Sequence, residues 1–283
     1  MLSIIILTYN SSSSIRRTLD SIKGLSNDIC VVDSYSSDDT VELCKKYGCS
    51  VTQREFINYS NQRNWAIDNL PLRYEWQLHI DADEEFEDNL VEQIRALDLT
   101  KSSYDGFIIG RKTVFLGKVL RYGGIARTWH CRLFRSGKGR CEERLYDQHF
   151  ICSGLVSTIR GFMLDHQELS ISEWTQRHNR WASMEADEIL QAGGQKSNVN
   201  VVQGKFSGNV IERKRQQKKI YYHFPLFLRP ILYFIFRYFF LLGFLDGRRG
   251  LVYHILQGFW FHFLVDAKLY EKTISDRGKS RSV

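Results

Sequence analysis

Proline is almost missing from this chain, 3 in 283 residues, and no residue type recurs with a fixed period. Collagen-like, mucin-like and solenoid architectures therefore lose their compositional basis. The six cysteines include no C-x-x-C pair and no Cys/His spacing suited to zinc, so they read as buried free thiols in a reducing compartment rather than a disulfide framework. The opening Met1-Leu2-Ser3-Ile4-Ile5-Ile6-Leu7 has neither a basic lead nor a signal-length apolar core, and reads as a first strand. What is present is 43% apolar and 25% charged residues, the composition of a folded globular chain. The charge is unevenly placed. From Gly204 onward there are 15 Lys+Arg against 5 Asp+Glu, whereas the residues before it carry 24 against 27, so the overall +7 belongs to the C-terminal third.

The first hundred residues alternate strand and helix. A β-branched apolar run at Ser3–Leu7 and strands at Ile29–Val32, Ser50–Thr52 and Trp76–Ile80 are separated by helical spacings over Ser11–Lys23, Thr40–Tyr47 and Asn61–Leu70. This order predicts an open α/β sheet with right-handed crossovers, in which ligands sit beyond the C-terminal strand ends. After Asp105 come strands at Phe107–Ile109, Arg132–Phe134 and Thr158–Leu164, then one long helix over Ile171–Leu190. The expected division is a catalytic domain over 1–192, a Gly-rich flexible linker over 193–208 and a basic, aromatic helical region over 209–283.

In that last region Glu212–Lys219 is a basic stretch, followed by apolar segments at Leu226–Leu245 and Leu251–Val265. The second falls short of the roughly 20 apolar residues a bilayer crossing requires, and the first is interrupted by Arg229, Pro230 and Arg237. On one continuous helix Arg237 and Arg248 would lie about 20° apart, an edge from which both could reach headgroups. The pattern predicts a monotopic helical pair on an anionic membrane surface, with Tyr233, Tyr238 and Trp260 as anchors. The alternative is a hairpin buried in a soluble core or at a homo-oligomer interface. Nucleic-acid binding is not expected, because the positive charge is confined to this lipophilic region.

Three clusters fall at predicted strand ends. Leu78-His79-Ile80-Asp81-Ala82-Asp83-Glu84 carries two carboxylates one residue apart, which a strand would point to one side, a pattern suited to a hard divalent cation shared with a diphosphate. Val31-Val32-Asp33-Ser34 ends another strand with an acceptor for a base or ribose, and the following Asp38 and Asp39 read as helix caps. Leu7-Thr8-Tyr9-Asn10 ends the first strand, where a loop can lie under a nucleotide.

Together with Arg63-Asn64 in the intervening helix, these elements resemble the family-2 glycosyltransferases with the GT-A fold, in order and spacing, over roughly residues 1–190. More narrowly they resemble the bacterial lipopolysaccharide-core glucosyltransferases of the WaaE/KdtX type, which share the Asp-Ala-Asp-Glu form and a short membrane-associated tail. The resemblance implies a Rossmann-like open mixed sheet flanked by helices, a nucleotide-sugar donor, in the first place a UDP-sugar, and Mg²⁺ or Mn²⁺. It implies that Thr8, Tyr9, Asn10, Asp33, Arg63 and Asp81 bind the donor and that Asp81 and Asp83 hold the metal, with His166 as a third ligand. Arg180 and Trp181, in a stretch similar to the Gln-x-x-Arg-Trp motif of processive members but with Gln176 one residue early, are implied at the diphosphate and beside the acceptor. Inversion requires a base for the acceptor hydroxyl. Tyr146-Asp147 stands where relatives carry His-Glu, which implies Asp147 as that base with Glu143 in reserve, while Glu142 and Glu143 read as solvated charges near Arg140 and Arg144.

The expected function is transfer of a sugar to a lipid-linked glycan on the cytoplasmic face of a bacterial inner membrane, in lipopolysaccharide or other cell-surface polysaccharide synthesis. Two alternatives differ in chemistry: transfer to a polyprenyl phosphate, which needs no strong base, and a non-catalytic membrane-bound scaffold that binds nucleotide sugars.

Overall fold

A computed structural model describes residues 1–126, 128–192 and 201–280. The first eight residues of the expected linker, 193–200, lie outside the described residues; Val201–Gly208 is irregular chain with one turn. The chain divides into two compact units: Met1–Val114, Arg127–Glu143 and Gln148–Gln167 form the first, and Phe115–Ala126, Arg144–Asp147 and Glu168–Val283 the second. The long helix expected in the catalytic domain therefore groups with the C-terminal helices, and two short segments from the middle of the chain join it there.

The first unit opens with β1 (Ser3–Thr8), α1 (Ile15–Ser21), β2 (Ile29–Asp33), α2 (Thr40–Lys46), β3 (Ser50–Gln53), α3 (Tyr59–Asn69) and β4 (Trp76–Asp81). It continues through β5 (Glu84–Phe86), α4 (Asp88–Arg95) and β6 (Gly106–Phe115). β7 (Lys118–Val119) belongs to the second unit, and the first resumes with β8 (Thr128–Arg135), β9 (Gly139–Cys141), β10 (Phe150–Cys152) and β11 (Val156–Gln167). The sheet order is β3-β2-β1-β4-β8-β6-β11-β5. β1 to β4 are mutually parallel where they pair, β8 runs antiparallel to both β4 and β6, and β11 is antiparallel to β5.

The reason lies in the strand composition. Ile4, Ile5 and Ile6, Val31 and Val32, Leu78 and Ile80 are all buried, because central parallel strands are covered on both faces. One core joins Ile4, Ile6, Leu78, Ile80, Ile15 and Leu90, so α1 and α4 seal the same side of the sheet. Five of the six cysteines are buried and all six are free thiols, as their spacing predicts. Register then decides what stands at the rim: Thr8 lies opposite Asp33, and Leu7 opposite both Val32 and Asp81, so the three motif-bearing strands end together.

The second unit contains α5 (Ile171–Ala192), α6 (Val210–His223), α7 (Leu228–Ile235), α8 (Gly247–Tyr253) and α9 (Phe261–Ser280). A π-helical turn continues α7 over Phe236–Phe240, a 3₁₀ turn spans Gly243–Asp246, and a second π turn, His254–Trp260, leads into α9. α5 packs on α9 through Ala182, Ala186, Phe261, Val265 and Leu269. The segment 115–126 is tied in by polar bonds: the Asp246 carboxylate accepts from the Arg121 and Tyr122 amides at 3.0 Å, and Arg237 Nε donates to the Gly123 carbonyl at 2.7 Å. Gly123 has φ +72°, and a Cβ there would fall 2.0 Å from the His254 ring, so both backbone and space require glycine.

Two expectations for this region fail. Leu226–Leu245 is not one helix, because Leu242 adopts φ 59° and breaks it before the 3₁₀ turn. Arg237 does not share an outer edge with Arg248; it is buried, as is Arg229, whereas Arg248 is exposed. The basic stretch is also partly folded inward, with Arg215 buried and Lys218 paired to Glu185 at 2.8 Å.

Candidate nucleotide-sugar site

At the β1–β2 rim, Asp33 is fully buried and serves as an acceptor hub. Thr8 Oγ1 donates to its Oδ1 at 2.9 Å, the Ser36 amide to Oδ2 at 2.8 Å, and Gln53 Nε2 to Oδ2 at 3.2 Å. Asn10, at φ 45°, knits the first loop to the second: its amide donates to Ser36 Oγ and its Oδ1 accepts from the Ser37 amide, both at 2.8 Å. Asp38 caps as expected, accepting from the Thr40 amide at 3.1 Å and the Ser12 amide at 3.0 Å. What burial it has opposes ionisation, but the hydrogen bonds from Thr40 and Ser12 win and bring its carboxyl down to about 2. Asp39 occupies the helix cap position with no side-chain bond. These bonds leave the rings of Tyr9 and Tyr35 64% and 59% exposed, the two large surfaces this rim offers a planar ligand.

The β4 end holds a denser arrangement. α3 starts at the Asn58 cap, whose side chain accepts from the Asn61 amide at 2.8 Å. It carries Arg63 completely under the sheet rim, where Nη2 donates to the Ile80 carbonyl at 2.8 Å and to Asp81 Oδ1. Arg132 of β8 donates from Nη2 to Asp81 Oδ2 and to Glu84 Oε1, each at 2.7 Å, and the Tyr59 hydroxyl donates to Asp81 Oδ1 at 3.0 Å. Glu84 Oε2 in turn accepts the Asp81 amide at 2.9 Å. Arg111 Nη1 lies 3.9 Å from Glu84 and 3.6 Å from Asp165. Three arginines thus face three carboxylates, the balance that burying charge demands. Burial alone would raise Asp81, but Arg132 and Arg63 outweigh it and hold the carboxyl well below its usual range. For Glu84 burial prevails over Arg132, the Asp81 charge adds to it, and the carboxyl is pushed up to about 7.

Asp83 does not share a strand face with Asp81. β4 ends at Asp81, and Ala82-Asp83 form the turn into β5. The two carboxylates therefore have different environments: Asp81 is committed to arginines, and Asp83 stands at the turn. His166 is brought to the same turn, its amide donating to the Asp83 carbonyl at 3.1 Å, while its ring bonds Glu85 at 2.7 Å. Among the described residues no group of three His, Cys, Asp or Glu side chains is arranged to enclose a metal. Carboxylate oxygens such as those of Asp83, together with oxygens of a bound diphosphate, are the donors Mg²⁺ takes with phosphate substrates, whereas both Asp81 oxygens already accept from arginines.

Asn64, beside Arg63, exchanges two hydrogen bonds with the Cys141 backbone at 2.9 and 3.0 Å, fixing α3 against β9. Glu142 is not a solvated charge: it is fully buried and accepts the His149 amide at 2.7 Å, closing the β9–β10 hairpin. Glu143 is exposed.

In the second unit Asp147, at φ 56°, accepts from Lys218 Nζ at 3.0 Å and Arg215 Nη1 at 3.3 Å. Burial would lower the Lys218 ammonium, but Asp147 and Glu185 reverse this and raise it. Glu188 holds the same loop, accepting Arg144 Nε at 2.9 Å and the Leu145 amide. Trp181 packs on Tyr146 with ring centres 5.5 Å apart and lies under the Arg177 guanidinium, while Arg180 is exposed.

The sequence reading missed Arg132, Tyr59, Glu84 and Arg111. Glu84 was visible as the last letter of Asp-Ala-Asp-Glu, but the two arginines lie on strands whose register no local pattern reveals.

Residues 3–165 match the family model described as glycosyl transferase family 2, and the chain belongs to that family. It is thus a nucleotide-sugar-dependent glycosyltransferase with a GT-A-type α/β sheet. It is 25% identical over 221 residues to the uncharacterized glycosyltransferase RP128 of Rickettsia prowazekii, covering 71% of this chain and 72% of that one. It is 37% identical over 83 residues to the glycosyltransferase SunS of Bacillus subtilis, covering 28% of this chain and 19% of the relative. Among solved structures it is similar to the mannosyltransferase PcManGT of Pyrobaculum calidifontis in complex with GDP-Man and Mn²⁺ (14% identity, TM-score 0.46, 96% of this chain and 75% of that one). TarS 1–349 of S. aureus gives 16% identity and a TM-score of 0.43 over 90% of each chain.

Proposed function

We propose that this chain is an inverting, metal-dependent glycosyltransferase that moves a sugar from a UDP-sugar to a lipid-linked glycan at the cytoplasmic face of a bacterial inner membrane, in lipopolysaccharide or related surface-polysaccharide synthesis. The observation that carries the donor half is the common rim of β1, β2 and β4, where Thr8, Asp33 and the Arg-anchored Asp81 end together.

In this reading the Thr8–Asn10 loop and Asp33 shape the nucleotide pocket, with the exposed Tyr9 ring as a stacking face for the base. Arg63 and Arg132 lock Asp81 as a carboxylate that accepts from the ribose. Asp83 and His166 would hold Mg²⁺ or Mn²⁺. The metal, when bound, neutralises charge on the departing diphosphate. Arg180 is assigned to the diphosphate and Trp181 to the acceptor, as the resemblance implies. Asp147 is assigned the acceptor proton.

A second reading follows from one contact. Asp147 is held by Lys218 and Arg215, whereas a polyprenyl phosphate acceptor is already ionised and asks for no base. Asp147→Asn separates the two: a loss of about 10²–10⁴ in kcat supports a hydroxyl acceptor, and retained activity supports a phosphate.

The deciding experiment for the donor site is thermal stabilisation across a panel of nucleotide sugars, with and without Mn²⁺, beside Asp83→Ala. A metal-dependent shift for a UDP-sugar that vanishes in Asp83→Ala supports the reading. No shift with any donor in a folded sample would overturn the donor-site reading, and a shift without donor hydrolysis would favour the scaffold alternative.

A further inference from the structure

We infer that the α7 hairpin of the second unit is an inside-out wedge whose outer face lies in the hydrocarbon of one lipid leaflet. In a helix that meets water, apolar residues face inward and charged ones outward. α7 and the π turn after it reverse this. Leu228, Ile231, Leu232, Ile235, Phe236 and Phe239 recur at helical spacing and are all exposed, whereas Arg229 and Arg237 of the same helix are buried. The exposure is large where it matters, 52% for Phe236, 55% for Phe239 and 73% for Phe240. The face continues through the bend as Leu241, Leu242, Phe244 and Leu245. An apolar surface of this extent marks an interaction site.

The inward arginines name the occupant. Arg229 Nε donates to Asp266 Oδ1 at 2.8 Å, and Asp266 Oδ2 also accepts the Phe227 amide at 2.8 Å. Arg237 Nε is taken by the Gly123 carbonyl. Arg229 paired with Asp266 and Arg237 turned inward onto the Gly123 carbonyl, beneath an outer surface with no charge, are the arrangement lipid selects. A protein partner would be met by polar groups among the apolar ones. The cations left outside, Arg248 and Arg249 directly after the bend, match anionic headgroups.

The wedge enters without crossing. Among the described residues no single helix is long and apolar enough to span a bilayer; Leu228–Phe240 and Gly243–Ser275 reach that length and composition only as a pair, and the pair is bent by 68°, as in a re-entrant loop. Thirteen helical residues reach about 20 Å, short of the roughly 30 Å hydrocarbon core. This deepens the membrane placement proposed above by assigning the main attraction to α7 and its bend rather than to the basic stretch of α6. Its test does not depend on transferase activity.

The full-length protein is floated with vesicles of phosphatidylcholine alone and of phosphatidylcholine with phosphatidylglycerol, at low and high salt. Binding to both is expected, stronger with phosphatidylglycerol, with high salt removing only that increment. Phe239→Glu combined with Phe240→Glu is expected to weaken partitioning by roughly tenfold to a hundredfold per ring. Arg248→Ala combined with Arg249→Ala is expected to lose only the phosphatidylglycerol increment. Failure to float, complete release by salt, or unchanged binding of the double Phe variant would overturn the proposal. So would a lipid-free dimer dissociated by the same Phe substitutions, which would assign the face to a second copy. Circular dichroism confirms folding, and UDP-sugar hydrolysis, expected to be equal in all variants, keeps the transferase reading separate.

Discussion

The two units place charge and grease in opposite ways. In the first, aliphatic side chains fill the sheet's faces and the buried arginines gather at its rim, each matched to a carboxylate that the proposed chemistry uses. In the second, α7 and the π turn after it also bury their arginines and leave an outer face of Leu, Ile and Phe. A buried arginine is costly unless fully paired. In the first unit that cost is offset by the rim carboxylates; in the second, Asp266 offsets it for Arg229 and the Gly123 carbonyl takes Arg237. The same residue type thus reports a polar site in one region and an apolar one in the other, and only its partners tell them apart.

The comparison breaks most visibly at Arg132. Arg132→Met leaves Asp81 and Glu84 without their shared guanidinium and is expected to destabilise the first unit by about 3–5 kcal/mol, read by chemical denaturation. If the loss were under about 1 kcal/mol, the rim pairs would be mere surface ion pairs. Next in size, Asp83→Ala is expected to lower kcat by about 10²–10³ with a smaller loss of stability than Arg132→Met, because Asp83 sits in the turn between β4 and β5 rather than within a strand. An equal fall in stability would place it in the structural network instead.

A pH titration sharpens the contrast within the rim. Glu84 is raised in the folded state from 4.5 to about 7, so its contribution is fully present below its unfolded value and is lost as pH rises through about 7. Asp81 is depressed, so its contribution is present above its unfolded value of 3.8 and is lost on acidification. Stability of the first unit should therefore decline between about pH 4.5 and 7 in the wild type and decline less in Glu84→Gln, measured by denaturant midpoints. Identical profiles would show that Arg132 keeps Glu84 ionised throughout. The smallest stability effect is expected in the second unit: Phe239→Ala on the exposed face should change stability by no more than about 0.5 kcal/mol in aqueous buffer. A loss of several kcal/mol would mean that the ring packs against protein.

Much of the first unit was legible. Ile4-Ile5-Ile6 and Val31-Val32 declare central strands by composition, and the Asn61–Leu70 helix was displaced by only two residues at its start, where Asn58 supplies the cap. The motif strands were correctly put at one rim, because parallel sheets end their strands together. The Asp81–Asp83 pair was misjudged in detail: period-two reasoning holds within a strand, and the strand stops at Asp81. The second unit was read less well. Helical geometry placed Arg237 beside Arg248, but the π turn and the left-handed Leu242 rotate one away from the other. Nothing in the basic stretch itself shows that Arg215 and Lys218 turn toward Asp147, a partner 68 and 71 residues away.

By itself, then, the sequence determined the alternation of elements, the family and the chemical types gathered at the strand ends, since these depend on local periodicity and on short motifs. Tertiary structure alone decided which charges are neutralised: that Asp81 is shared by Arg63 and Arg132, that Glu84 is forced toward neutrality, and that Arg229 and Arg237 face inward. Ion pairing and desolvation depend on distances between residues far apart in the chain, and on how much water the fold removes from each.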